Sequence, residues 1–221
     1  MDKELWANVD DFVDSLLVAP DNSLSDALLD STAAGLPQIN VAPNQGKLLE
    51  LLATINRSRR ILEIGTLGGY STIWMARSLP DDGELVSLEL DVHHAAVARK
   101  NIDRAGFGSK VDIRVGPAVD SLRDMISEGV EPFDFVFIDA DKEGYPQYFT
   151  LTMELSCPGT VIVADNVVRD GAVSDAASSD GRVQAVRQFL DLVATDQRVE
   201  GTVIQTVGSK GYDGFALLRV L

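Results

Sequence analysis

Short apolar runs alternate with stretches of helical length from residue 60 onward, and this alternation constrains the fold more than any other feature of the chain. Strand-length runs occupy residues 60–64, 84–90, 111–115, 133–138 and 160–164. The segments between them are predicted as helices at 70–79, 92–104, 118–128 and 145–155. Because parallel strands joined by helices need right-handed crossovers, this order predicts a parallel sheet with helices on both faces.

The end of the chain breaks this alternation. A helix predicted at about 182–194 precedes two strand candidates, near 198–207 and 214–220, which are joined by Gly208-Ser209-Lys210-Gly211. So short a connection predicts an antiparallel pair at the edge of the sheet. The expected fold is therefore α/β, a doubly wound sheet of about seven mostly parallel strands that binds its ligand at the carboxyl ends of the strands.

Two helices are predicted before the first strand. Residues 4–18 carry apolar side chains at helical spacing, and a second helical face follows Pro43 and Asn44, where Asn44 is a candidate cap. A chain of 221 residues is long enough for one domain and short for two. We expect a single domain over residues 1–221, with an N-terminal helical region at 1–57 and the α/β core at 58–221.

Charge and cysteine content narrow the function classes. The chain has 34 acidic and 19 basic residues, a net charge of −15, which disfavours nucleic acid or an anionic membrane as the main partner. Cys157 is the single cysteine, and with two histidines the usual zinc ligand sets are scarce. The acidic start of the chain does not fit a signal peptide, and no apolar run is long enough to span a membrane, so we expect a cytoplasmic protein.

A glycine-rich turn follows the first strand, from Glu63 to Ser71. A dinucleotide fingerprint needs glycines at the first, third and sixth positions, but counting from Gly65 the third position is Leu67 and the sixth is Tyr70. The turn therefore fits a nucleoside ligand without a pyrophosphate at the start of a helix. The alternative is a tight turn with no ligand.

Glu89 lies at the end of the second predicted strand, roughly 20 residues after the glycine turn. A carboxylate at this place can accept hydrogen bonds from both hydroxyls of a ribose. The alternative is a solvated acid, which is common in a chain this acidic. Together, the turn and Glu89 favour a ligand that carries a ribose.

The strongest group of polar residues lies at the ends of two later strands. Asp139 follows one apolar run, and Asp165 and Asn166 follow the next. Adjacent strand ends would bring these oxygen ligands together on a hard cation, Mg²⁺ or else Mn²⁺ or Ca²⁺, and would disfavour zinc. The alternative, in which each acid caps a helix, leaves Lys142 unexplained.

These segments together resemble the metal-dependent class I S-adenosylmethionine O-methyltransferases, the group of catechol and caffeoyl-CoA O-methyltransferases and their bacterial relatives. The resemblance runs from about residue 36 to the C-terminus and is most specific at Asp139-x-Asp141-Lys142 and Asp165-Asn166. It implies the Rossmann-like methyltransferase fold, the cofactors S-adenosylmethionine and Mg²⁺, a small catechol-type or phenolic acceptor, and a homodimer.

The resemblance also implies roles for individual residues. The residues that would bind the cofactor are Val41, Glu63, Gly65, Leu67, Ser71, Glu89, Gly116, Ala118, Asp139 and Asp141. Asp139, Asp165 and Asn166 match the metal ligands; Lys142 matches the proposed catalytic base, with Asp139 beside it. Leu67 replaces an aromatic residue found in some members, and Pro117-Ala118-Val119 supplies no side-chain hydroxyl or amide to the adenine. Asp141 would lie near the methionyl amino group.

Other functions are open at this point. A bacterial relative that methylates a hydroxylated tRNA base shares the chemistry, but residues 165–182 carry four aspartates against Arg169 and Arg182, a local charge of −2. An NAD-dependent oxidoreductase is disfavoured by the broken glycine pattern, and a non-catalytic nucleoside-binding protein leaves the acids and Lys142 without a role. His93 and His94 are expected to be solvated, away from the metal ligands. Residues 167–182 are expected to form a loop beside the acceptor pocket.

Overall fold

The computed structural model of the chain describes residues 2–221. Its helices are α1 Lys3–Leu17, α2 Asn22–Ala33, α3 Pro43–Ile55, α4 Tyr70–Ala76, α5 Val92–Arg104, α6 Ala118–Glu128, α7 Tyr145–Glu154 and α8 Gly181–Thr195. Its strands are β1 Arg60–Ile64, β2 Glu84–Glu89, β3 Val111–Val115, β4 Phe133–Ile138, β5 Ser156–Asp165, β6 Val199–Gly208 and β7 Gly211–Val220. Short 3-10 helices cover Lys142–Gly144 and Ala172–Ser174.

The sheet has the predicted architecture. Its strand order is β3-β2-β1-β4-β5-β7-β6. The first five strands in this order pair in parallel, and β7 pairs antiparallel with both β5 and β6. The chain order reverses between β1 and β4, so the point at which a doubly wound sheet opens its ligand crevice lies between these two strands.

The N-terminal region contains three helices before β1 and not the predicted two. The missed helix, α2, has a mixed sequence in which only Leu24, Ala27 and Ser31 are buried, so its periodicity is weak. The proposed cap at Asn44 is also wrong. Helix α3 begins at Pro43, and the Asn44 side chain instead donates to Asp10 Oδ1 of α1 at 3.0 Å.

Both faces of the sheet are covered by helices. On one face, alternate strand residues such as Leu62, Val136 and Ile162 pack against α6, α7 and α8. On the other face, residues such as Ile61, Phe135 and Val163 pack against α2 to α5. The central strands are therefore buried on both sides, as a parallel sheet requires. No helix among residues 2–221 has the length and apolar character needed to cross a membrane.

The register of the strands places the polar residues in one row. Leu88, Ile64, Ile138 and Ala164 lie side by side across β2, β1, β4 and β5. The residues that follow them in the chain are Glu89, Gly65, Asp139 and Asp165. Three acids and one glycine thus lie at the same level along the carboxyl edge of the sheet.

Candidate active site

A cavity of about 860 Å³ opens at this edge. Eight of the ten residues predicted to bind the cofactor lie on its wall; these are Val41, Gly65, Leu67, Ser71, Glu89, Ala118, Asp139 and Asp141. Lys142 and Asn166 also line it. Glu63 and Gly116 are not part of this wall: Glu63 is fully buried, and Gly116 directly precedes the lining residues Pro117 and Ala118.

The glycine turn needs a glycine at position 65. Gly65 has φ +103°, and a Cβ atom at this position would lie 2.1 Å from the backbone oxygen of Asp139. The Asp139 N–H donates to the oxygen of Ile64 at 2.9 Å, so the turn after β1 and the end of β4 are in direct contact. Gly65 therefore allows the floor of the cavity to close against the strand that carries Asp139.

Glu63 is buried behind the cavity wall and holds the residues that follow the glycine turn through hydrogen bonds. Its buried carboxylate accepts hydrogen bonds from Ser71 Oγ at 2.5 Å, Thr72 Oγ1 at 2.5 Å and Ser87 Oγ at 2.6 Å. Burial raises the pKa of Glu63 to about 7, against the lowering effect of these three hydroxyls. Glu63 thus orients Ser71 and the first turn of α4.

Glu89 is a buried residue and not the solvated acid of the alternative interpretation. Its Oε2 atom accepts from the backbone N–H groups of Thr66 and Leu67 at 3.2 and 2.7 Å, and its Oε1 atom accepts from Asp91 at 2.9 Å. These bonds lock the carboxylate to the glycine turn at the cavity wall. Oε2 already accepts two hydrogen bonds and Oε1 accepts one, so Oε1 has a lone pair left to accept from a ribose hydroxyl.

His94 lies at the cavity wall beside Glu89 and is partly buried, which corrects the expectation that both histidines are solvated. Its Nδ1 atom is 3.6 Å from Glu89 Oε1. His93 faces α2, with Nε2 3.0 Å from the oxygen of Ala34. The sequence signal for His94 was its position in the first turn of α5, three residues after the Asp91 cap.

Asp139 and Asp165 cap no helix, so that alternative is wrong for both. Asp165 is 5% exposed, and its Oδ1 atom accepts from the Asn166 N–H at 2.8 Å. Burial and the negative charge of Asp139 raise the pKa of Asp165. A half-buried carboxylate that raises the pKa of a buried neighbour forms with it a site that a cation would stabilise.

Asn166 carries the third predicted ligand atom. Its φ of +57° is in the left-handed region, which Asn tolerates better than most residues, and its side chain makes no hydrogen bond within residues 2–221. Asn166 lines both the main cavity and a second cavity of about 300 Å³, which Asp165 also lines. Gln45 of α3, which sequence reasoning missed, donates from Nε2 to Asp165 Oδ2 at 2.6 Å.

The donors fit a hard cation. Residues 2–221 hold no cluster of three or more His, Cys, Asp or Glu side chains suited to a metal. Asp139, Asp165 and Asn166 offer two carboxylates and one amide oxygen. This set suits Mg²⁺, whose coordination shell other oxygen ligands would complete, and it does not suit zinc.

Lys142 is buried and tightly held, so it is not an exposed lysine at a helix start. Its Nζ atom donates to Asp139 Oδ1 at 3.1 Å, to the oxygen of Ala140 at 3.1 Å and to the hydroxyl of Tyr145 at 2.6 Å. The Tyr145 hydroxyl in turn donates to the backbone oxygens of Ile138 and Asp165, at 3.0 and 2.8 Å. Tyr145, which sequence reasoning missed, therefore joins the ends of β4 and β5 and positions Lys142.

Known proteins resemble this chain in sequence and in structure. The family model described as O-methyltransferase matches residues 19–220. A protein named catechol O-methyltransferase from Niastella koreensis is 51% identical over 220 residues, covering 100% of both chains. Another of the same name, from Mycobacterium tuberculosis, is 48% identical over 213 residues, covering 96% of this chain and 95% of that one. This chain belongs to the O-methyltransferase family.

A solved structure shows the same architecture for this O-methyltransferase. The O-methyltransferase from Bacillus cereus, determined in complex with SAH, matches it with a TM-score of 0.97 and 52% sequence identity, covering 99% of both chains. The predicted doubly wound fold and the predicted family are both confirmed.

Asp141 of this O-methyltransferase has structural partners of its own. It caps the 3-10 helix at Lys142–Gly144 through an acceptor bond from the Gly144 N–H at 3.0 Å, and its Oδ1 atom accepts from the Tyr148 hydroxyl at 2.5 Å. The capping role considered for Asp139 thus falls to Asp141. Its carboxylate still borders the cavity, with a lone pair on each oxygen available to a ligand.

Proposed function

We propose that this protein transfers the methyl group of S-adenosylmethionine to one hydroxyl of a small vicinal diphenol in the presence of a divalent cation. The observation that carries the proposal is the row of Glu89, Gly65, Asp139 and Asp165 along one edge of the sheet. The first two residues suit a nucleoside, and the last two suit a cation that binds neighbouring phenolic oxygens. Two relatives about half identical in sequence carry the name catechol O-methyltransferase.

The cofactor end of the proposal rests on the glycine turn and on Glu89. SAH, bound to the Bacillus cereus protein, is the product that S-adenosylmethionine leaves after methyl transfer. In this chain, Glu89 would accept from the ribose hydroxyls, and Gly65, Leu67 and Ser71 would border the methionine part. Ala118 would face the adenine through backbone groups, and Val41 would pack against the cofactor.

Asp139, Asp165 and Asn166 would hold the cation, with Mg²⁺ preferred and Mn²⁺ or Ca²⁺ as substitutes. A phenol with a pKa near 10 is mostly protonated at neutral pH. When bound, the dication would supply Lewis-acid stabilisation of the ionised phenol and a fixed direction for its oxygen. Gln45 would orient Asp165 through its hydrogen bond.

Lys142 would accept the phenol proton. Since all three of its N–H groups are engaged, it must lose its proton and turn the free lone pair towards the acceptor. Tyr145 is excluded as the base, because burial and then the charges of Asp139 and Asp165 raise its pKa well above the usual range. Alignment of the phenol oxygen behind the methyl carbon can contribute about 7–11 kcal/mol, so positioning dominates over base strength.

The acceptor is proposed to be a small molecule. A tRNA acceptor would need basic residues on the surface around the site, whereas the chain has a net charge of −15. The relatives reported above are named for catechol, and the tRNA alternative gains no support from them.

We also propose that residues 1–221 form a single methyltransferase domain and that the protein acts in the cytoplasm. We further propose that it is a homodimer. Helix α1 has no buried residue, and Leu5, Val9, Phe12 and Leu16 form an exposed apolar stripe along it. Helix α1 packs against the edge strand β6, where Ile204 and Val207 are exposed too. This surface suits a second copy of the chain. A monomeric mass in light scattering at micromolar concentration would contradict it.

Labelled methyl transfer tests the proposed function. The protein is incubated with Mg²⁺ and methyl-labelled S-adenosylmethionine, together with either a set of small diphenols or bulk tRNA. We expect label in a product extracted into organic solvent after acidification, and none in precipitated tRNA. Label in tRNA and none in the diphenols would overturn the proposal.

A further inference from the structure

Arg169 is a cation of the main cavity that has no partner. It lies three residues after Asn166, in the segment between β5 and α8, and lines the cavity together with Lys142, Asn166 and Arg182. The other two cations at this end are engaged: Lys142 pairs with Asp139 at 3.1 Å, and Arg182 pairs with Asp180 at 2.7 Å. Arg169 forms no ion pair within 4.0 Å anywhere in residues 2–221.

The backbone of Arg169 is fixed independently of its side chain. The N–H groups of Val168 and Arg169 both donate to Asp213 Oδ1 at 3.0 Å. Arg169 also has φ +57°, a conformation that costs free energy in a residue other than glycine and persists only where neighbours impose it. Two backbone hydrogen bonds to Asp213 thus hold an arginine at this place without involving its guanidinium.

The guanidinium itself is not satisfied. Its Nε atom is buried and has no hydrogen-bond partner, although a guanidinium normally donates from all its nitrogens. A buried donor without a partner costs free energy. A ligand that gives the guanidinium a hydrogen-bond partner removes this cost, and the free energy recovered adds to the binding affinity. A planar guanidinium matches a carboxylate group in a two-point arrangement better than it matches a neutral group.

We propose that Arg169 binds a carboxylate carried by the methyl acceptor, so that the preferred acceptor is a vicinal diphenol acid and not a neutral or cationic diphenol. This inference rests on the proposed function, because the diphenol must bind at Asp139, Asp165 and Asn166. The two hydroxyls of the acceptor would bind the cation, and its carboxylate would bind Arg169. Arg169 is then a specificity-determining residue.

Matched acceptors test the inference. The acid is 3,4-dihydroxybenzoate, and its methyl ester has the same diphenol without the charge. Binding of each is measured by calorimetry with Mg²⁺ and SAH present, which prevents turnover, and kcat/KM is measured with S-adenosylmethionine. The proteins are the wild type, Arg169→Met, Arg169→Lys and, as a matched control outside the cavity, Arg123→Gln.

We expect Arg169→Met to lose about 10- to 100-fold in affinity and in kcat/KM for the acid, the size of a lost ionic hydrogen-bond pair, with the ester changed by no more than about twofold. Arg169→Lys should fall between the two, because it keeps the charge and loses the planar geometry. Arg123→Gln should match the wild type, since Arg123 is exposed and lies elsewhere on α6.

Three outcomes would overturn the inference. Equal losses for the acid and the ester would give Arg169 a structural role. Weaker SAH binding in Arg169→Met, measured in the same calorimeter without acceptor, would assign the guanidinium to the carboxylate of the cofactor. An ester bound as tightly as the acid by the wild type would remove the carboxylate preference. A wild type that methylates neither diphenol would instead overturn the proposed function itself.

Discussion

The two ends of the candidate active site both place acids on neighbouring parallel strands, close to their carboxyl ends, and the results are opposite. At the cofactor end, Glu63 is surrounded by three hydroxyl donors and Glu89 by three backbone N–H groups. At the cation end, burial and the negative charge of Asp139 raise the pKa of Asp165, and Lys142 forms its ion pair with Asp139. The acids of the first end find their hydrogen-bond donors within the chain, whereas the negative charges of Asp139 and Asp165 at the second end need a bound cation to balance them.

Removal of the cation should produce the largest difference between the two ends. We expect exhaustive chelation to reduce methyl transfer by about 10³-fold or more, since Lewis-acid stabilisation contributes several kcal/mol. Added Mg²⁺ or Mn²⁺ should restore the rate, and Mg²⁺ should raise the melting temperature of the cofactor-free protein because it relieves the repulsion between Asp139 and Asp165. Calorimetric binding of SAH should persist after chelation. Full activity in the chelated protein would contradict the cation assignment.

Single substitutions should affect turnover at the cation end and cofactor affinity at the cofactor end. Asp165→Ala should lower kcat by about 10²- to 10³-fold and leave the SAH dissociation constant nearly unchanged. Glu89→Ala should weaken SAH binding by about 10- to 100-fold, because it removes the ribose acceptor and frees the turn at Thr66 and Leu67. Steady-state kinetics and calorimetry on both variants check this. If Asp165→Ala loses cofactor affinity as strongly as turnover, Asp165 is structural.

The pH dependence of stability should report on the cofactor end. The pKa of Glu63 rises from 4.5 in the unfolded chain to about 7 in the folded one, mainly through burial. Between these values the folded protein holds a proton that the unfolded chain has released, so stability falls as pH rises, by about 3 kcal/mol in total from this group. Urea unfolding at pH 5 and pH 8 should show a smaller decrease in Glu63→Gln than in the wild type. Parallel decreases in both proteins would assign the effect to other groups.

Tyr145 should have the smallest effect, because it acts through Lys142 and touches no reacting atom. Tyr145→Phe removes the hydroxyl that accepts from Lys142 and joins the carbonyl groups of Ile138 and Asp165. We expect kcat to fall by about 10-fold, with KM for the cofactor unchanged and the basic limb of the pH–rate profile displaced. Lys142→Met should lose about 10²-fold or more and should abolish that limb. An unshifted profile in Tyr145→Phe would restrict Tyr145 to a packing role.

Prediction from sequence succeeded where the pattern is local or follows from general rules of topology. The apolar runs predicted β1, β3 and β4 with their observed ends, and the crossover rule predicted the parallel order. Prediction failed at α2, whose buried face consists of one leucine and two small residues, and at Asn44, whose side chain bonds to α1 and not to its own helix. In both cases a contact with a distant part of the chain outweighs a weak local signal.

The sequence by itself determined which chemistry is available: a broken dinucleotide pattern, an acid after each of three apolar runs, and an Asp-Asn pair. The tertiary structure decided how those groups behave, because burial and partners come from distant segments. Gln45 reaches Asp165 across 120 residues of chain, and only the registered ends of β1, β2, β4 and β5 bring the acids into one row. The charge state of Glu63, the confinement of Lys142 and the unpaired guanidinium of Arg169 depend on desolvation and on hydrogen-bond geometry, and neither is encoded in any short stretch of sequence.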